Sequence, residues 1–156
     1  MKTLLLALLP GLLPGPAPAG PPQVLPPRLA GQWRQHAVAF MARRVLTAEE
    51  QEHLNDSAVA VLNAQLRQGR AAIVLTLRPG GGYRYARAGP AGALAEEAGT
   101  CRFSRDTLYL RPAAGPPALL PPALRVVRRG RRVLVLEFPF GDPVNKISEQ
   151  LLFRRE

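Results

Sequence analysis

The feature that most constrains this chain is the cadence of its second half. From Ala71 onward, short apolar stretches follow one another with turn residues between them, the pattern of strands joined by tight connections. Residues 71–77 are apolar at nearly every position, and Pro79-Gly80-Gly81-Gly82 turns them into a second stretch over 83–87. The region 88–92 leads to a third over 96–103, and Ser104-Arg105-Asp106 leads to a fourth over 107–111. A Pro-rich connection over 112–122 precedes 124–128. Arg129-Gly130 then turns the chain into 132–138, and a final stretch ends at Arg155. A further strand, irregular at its middle, is expected from Gly31 to about Val45, where Trp33, Val38, Phe40 and Met41 supply apolar positions. The total is eight. Consecutive strands with short turns pair as an antiparallel meander, and eight of them close into a barrel without edges. The predicted fold is therefore mainly β: an eight-stranded antiparallel up-and-down barrel.

One segment has another period. Thr47-Ala48-Glu49-Glu50 is a capping box, in which the Thr47 hydroxyl accepts the N–H three residues on and Glu50 reaches back to the N–H of Thr47. Behind it Leu54, Ala58, Val61, Leu62 and Leu66 fall at spacings of three and four. The spacing predicts an amphipathic helix over 47–67, inserted between the first and second strands and kinked where Asn55-Asp56-Ser57 can cap a second segment. Glu49, Gln51, Glu52, Asn63 and Gln68 should face solvent. The stretches 73–77 and 133–138 are apolar on both faces and need cover outside as well as inside, so the helix is placed over them or across one mouth.

The N-terminus is set aside from the fold. Lys2, the apolar run from Leu4 to Leu9 and Ala17-Pro18-Ala19 read as a secretory signal over 1–19 with cleavage after Ala19. The apolar run, broken by Pro10 and Gly11, is shorter than the roughly 20 residues a membrane-spanning helix needs. Residues 20–28 form a Pro-rich leader that suits neither helix nor sheet interior, and 29–156 form one domain. The expected location is secreted or periplasmic, and the expected state monomeric.

Composition limits the chemistry. The net charge is +10, carried by nineteen arginines and two lysines. Such a surface is attracted to polyanions; after export these would be anionic envelope surfaces or acidic proteins rather than nucleic acid. Ordinary solvation accounts for the same charge. Cys101 is the only cysteine, so no intramolecular disulfide forms, and a lone thiol in a strand is expected to be a small buried hydrophobe. Neither His36 nor His53 has the Cys or carboxylate spacing of a metal site. Glu96 and Glu97 are adjacent on a strand and so point to opposite faces. No catalytic residue, metal or cofactor is expected, and the chain reads as a non-enzyme.

The order of pieces carries a resemblance. Gly31-Gln32-Trp33, the helix before the second strand, the hairpin around Pro79-Gly80-Gly81-Gly82, the pair Gly99-Thr100-Cys101-Arg102-Phe103 and Asp106-Thr107-Leu108-Tyr109-Leu110, and the closing Phe153-Arg154-Arg155 together resemble the bacterial secreted lipocalin-like domains of the calycin group. The resemblance implies that Gly31 and Trp33 close one end of the barrel, with Arg154 or Arg155 across the indole ring. It implies a ligand cavity and no particular ligand; a small apolar or amphipathic molecule is the expected occupant, with Tyr83, Tyr85, Phe103, Tyr109 and Phe138 as the candidate lining residues. Side chains of this bulk can also fill a small barrel. In that alternative the exterior acts, with Arg128, Arg129, Arg131 and Arg132 around one hairpin as the contact candidates.

Overall fold

The computed structural model describes residues 25–54, 57–89, 92, 94–113, 119–141 and 146–156. Its strands are β1 (Gly31–Ala42), β2 (Ala72–Leu77), β3 (Gly82–Ala88), β4 (Leu94–Ser104), β5 (Thr107–Pro112), β6 (Ala123–Arg129), β7 (Val133–Pro139) and β8 (Ile147–Arg155), with α1 (Ala48–Leu54) and α2 (Ser57–Arg67) between β1 and β2. They form one closed barrel in the order β1 to β8, every neighbour antiparallel, with β8 returning to β1. The predicted barrel is present strand for strand. The signal segment, the first part of the leader and the Asn55-Asp56 step fall outside the described residues.

Alternation explains the core. Ile73, Leu75 and Leu77 on β2, Leu108 and Leu110 on β5, and Leu134 and Leu136 on β7 point inward and are buried, as the two-residue period of a strand requires. A bulge at His36 breaks the β1–β8 register between Gln35 and Ala37. The extra residue resets the parity, so Gln35 and Val38 both lie buried on the lumen side.

The meander fixes two unlike ends. The β2–β3, β4–β5 and β6–β7 turns lie with the start of β1 and the end of β8 at the closed end. There Trp33 and Phe153 are fully buried. Leu25 and Leu29 are buried with them, and the Leu25 N–H bonds the Pro79 carbonyl at 3.2 Å. The packed base thus begins at Leu25, inside the stretch read as a leader, because the prolines bend the chain into a turn that delivers two leucines under the barrel. The indole Nε1 donates to the Leu29 carbonyl at 2.8 Å. The guanidinium of Arg155, not Arg154, stands 4.6 Å over the ring and donates to the carbonyls of Arg28 and Ala30. Gly31, at φ +140°, adopts a backbone conformation that L side chains rarely take, while a Cβ there would meet that guanidinium at an ordinary 3.4 Å.

The helical segment has the expected second part from Ser57 and departs from expectation in how that part docks. It is two helices, with the capping box intact at the first: Thr47 N–H donates to Glu50 at 2.9 Å and Glu50 N–H to the Thr47 hydroxyl at 3.2 Å. α2 packs on β1 rather than over β2 and β7. It does so through Val59, Leu62 and Leu66, leaving Ala58 and Val61 exposed. Asn63, expected in solvent, docks on the strand instead. Its Oδ1 accepts from the Val38 N–H at 2.8 Å and its Nδ2 donates to the Val38 carbonyl at 2.9 Å. The reason is local to β1. Its pairing with β2 spans only Gly31 to Arg34, so the β2-facing N–H and C=O of Val38 lack a strand partner, and the Asn63 amide supplies both bonds.

Candidate functional site: the upper lumen and the basic base

The inward faces change character along the barrel axis. Near the closed end the lining is apolar, and Trp33, Leu75, Leu77, Leu108, Leu124, Leu134, Leu136 and Phe153 are each exposed by no more than 1 %. These side chains fill the base themselves. Above them the lining turns polar, with Gln35 on β1, Tyr85 on β3, Glu97 on β4 and Glu149 on β8 on the inward side of their strands.

Glu97 is buried and satisfied. It accepts from the Tyr83 hydroxyl at 2.6 Å and from the Leu119 N–H at 2.5 Å. The second bond anchors the β5–β6 connection, whose Leu120 is buried in the core. Burial and the Glu97 carboxylate push the Tyr83 hydroxyl well above the usual tyrosine range. Tyr85 is pushed up to about 12, first by burial; Arg87 opposes the shift, and Glu149 and Glu97 add to it. The carboxylate fields of β4 and β8 therefore both reach Tyr85. Burial raises the Glu149 carboxyl.

Gln35 stands apart from this network. It is 3 % exposed, and its Nε2 makes only a long 3.5 Å contact with the Ala37 carbonyl. Its Oε1 is the one buried side-chain polar atom without a hydrogen-bond partner among the described residues. Exchanging O and N would not help, since it would set the oxygen against that same carbonyl.

The predicted lining residues divide. Tyr83 and Tyr85 are buried in the lumen, and Phe103 and Phe138 are half-buried against the core. Phe103 lies toward the closed end, where the Arg129 guanidinium stands 5.4 Å over its ring. Tyr109 is a correction. Leu108 and Leu110 take the inward positions of β5, so Tyr109 faces out and carries the Arg102 guanidinium at 4.1 Å. Gln35 and Glu149 were not anticipated, because a polar residue in a strand ordinarily reads as outward. The bulge and the register, which only pairing reveals, turn them in.

On the outer wall Glu137 is buried. Burial acts to raise its pKa, but the bond from Gln150 at 2.8 Å and the charges of Arg125 and Arg43 hold it low. It borders a cleft of about 320 Å³ lined by Arg43, Arg125, Phe138, Lys146 and Ile147, among others. Glu96 points outward, away from Glu97, and pairs with Arg84 at 2.6 Å. Cys101 is buried, and burial pushes its thiol up to about 11. That is the behaviour of a packed hydrophobe rather than a nucleophile. Burial and then Arg154 lower the pKa of His36. Among the described residues no three His, Cys, Asp or Glu side chains gather as a metal site needs.

The arginines are distributed unevenly. Arg128, Arg129, Arg131 and Arg132 are exposed around the β6–β7 turn, and Arg78, Arg105 and Arg154 are exposed on the neighbouring closed-end elements.

No family model matches the chain, and no curated protein matches it. Among solved structures it is similar to a lipocalin-like protein from Bacteroides uniformis ATCC 8492, at 12% identity and a TM-score of 0.48, over 83% of this chain and 99% of the other. The architecture itself, a closed eight-stranded antiparallel barrel whose helices among the described residues lie in the β1–β2 connection, is that of a lipocalin-like fold.

Proposed function

We propose that the protein is a non-catalytic binding barrel that takes a small amphipathic molecule in its upper lumen, above the filled base. The observation that carries this reading is Gln35. A buried acceptor without a donor costs about 1 to 3 kcal/mol, and no other buried side-chain polar atom among the described residues is left so. A ligand hydroxyl or amine at Oε1 would remove that cost. The apolar part of the ligand would lie against Ile73, Leu110 and Leu151, which are buried on the inward side of their strands. The filled base limits size, favouring a ligand smaller than those held by pockets of about 300 to 1,000 Å³.

Native mass spectrometry of protein purified from its host tests the reading directly, with Gln35→Leu beside it. The expected result is a co-purifying mass that the variant loses. A water molecule at Gln35 would give no such mass. No adduct on either protein, together with no thermal shift from small alcohols or amines, would overturn the proposal.

A further inference from the structure

Exposed arginines are gathered at the closed end of the barrel. Elsewhere some arginines meet carboxylates, Arg84 with Glu96, Arg44 with Glu50 and Arg43 with Glu137, and those that form no ion pair among the described residues, such as Arg67, Arg87 and Arg102, are spread over separate elements. At the closed end the topology brings together Arg78 from the β2–β3 turn, Arg105 from β4–β5, Arg128, Arg131 and Arg132 from β6–β7, and Arg154 from β8. All six are exposed, and none has a carboxylate partner among the described residues. The acidic groups nearby are Asp106 and Glu156, and Glu156 is already engaged by Gln32 and Arg34. A compositional surplus of arginine would supply cations everywhere. It does not explain why six arginines without a carboxylate partner among the described residues converge on one end.

We propose that this end is a docking face for an anionic lipid surface, with guanidinium groups on three hairpin tips and a chain end meeting lipid phosphates. Three observations favour lipid over an acidic protein. The cations sit on separate turns around one end of a barrel, an arrangement suited to a plane of charges. Among the described residues the large exposed hydrophobics lie mainly elsewhere, at Met41, Val45, Val61, Leu94, Leu119 and Phe140, with only Val127 on a strand leading to this end; these residues offer no apolar centre there of the kind protein interfaces bury. The chain upstream of Leu25 also joins the barrel here. Guanidinium suits phosphate through its planar, bidentate donor geometry.

The test is co-sedimentation of the purified protein with vesicles of phosphatidylcholine alone or with about one-third phosphatidylglycerol. The neutral vesicles measure any contribution from the apolar N-terminal segment. Two triple variants remove equal charge: Arg128→Gln, Arg131→Gln and Arg132→Gln at the base, and Arg67→Gln, Arg70→Gln and Arg87→Gln away from it. Each basic residue near an anionic membrane contributes about fivefold, so the base triple should weaken binding to anionic vesicles by about 100-fold and flatten its salt dependence. The second triple should stay within about twofold of wild type, and both should melt as wild type does. Equal loss from both triples would mean that net charge alone acts and would overturn the proposal. So would binding no stronger to anionic than to neutral vesicles, or equal affinity for a poly-glutamate chain.

Discussion

The two halves of this barrel solve opposite problems with the same alternating strands. At the base the inward positions are mostly apolar, and the polar atoms there are matched: Trp33 Nε1 to Leu29, Arg155 to two carbonyls. In the upper lumen the inward positions include Gln35, Tyr85 and Glu149, with an amide oxygen left without a donor and a carboxyl held up by burial. Stability is concentrated below and unmet polar capacity above. A barrel optimised only to stand would not place them so, since a half-satisfied polar layer costs more than an apolar one.

That contrast can be broken most directly at Trp33. Trp33→Ala should destabilise by about 3 to 5 kcal/mol in chemical denaturation, the usual cost of deleting a large buried aromatic; a loss below about 1 kcal/mol would show that the base is not where stability resides. Asn63→Ala comes next. It leaves the Val38 N–H and carbonyl without their present partners and should cost about 1 to 3 kcal/mol, and Asn63→Asp, which keeps the acceptor but sets an oxygen against the Val38 carbonyl, should not recover the loss.

The upper half should respond with the other sign. Gln35→Leu replaces an unsatisfied amide with an apolar group of similar size and should raise the stability of the free protein by about 1 kcal/mol. Destabilisation would place Gln35 among the structural residues of the base.

The smallest effect sharpens the contrast through pH. The folded-state pKa of Glu149 is raised by burial, so its favourable contribution is complete below the unfolded value of about 4.3. It is lost as pH rises through the folded value. Glu149→Gln should therefore be more stable than wild type at pH 7 and indistinguishable from it at low pH. Glu50 behaves oppositely: the Arg44 and Thr47 bonds lower its pKa to about 2. Its contribution is present above the unfolded value and disappears as pH falls toward 2, so Glu50→Gln should flatten the acid limb of the stability curve.

Much of the architecture is readable in advance because strands and turns are local. The Gly-rich and Arg-Gly turns set the hairpins, and the Thr47 capping box sets a helix start. Orientation is less accessible. Tyr109 reads as a lining residue until pairing with β4 and β6 assigns Leu108 and Leu110 to the lumen. Val61 fits the same apolar stripe as Leu62, but the second helix turns it to solvent and brings Val59 in. Gln35 faces inward together with Val38 because of one bulged residue, which no period-two pattern announces. The Arg129-Gly130 hairpin is visible as a basic cluster. Its assembly with Arg78, Arg105 and Arg154 depends on closure of the barrel.

The closure itself has a kinetic consequence. β1 pairs with β2 only from Gly31 to Arg34, but with β8 from Trp33 through Ala42. The first strand therefore finds most of its hydrogen bonds in the last one, after every intervening hairpin has been made. Contacts this distant along the chain are slow to form, because the loop entropy must be lost before they reward it. Until β8 arrives, β1 is an open edge, and Trp33 lacks both Phe153 and Arg155. A nascent chain short of its final strand cannot be trapped in the finished barrel.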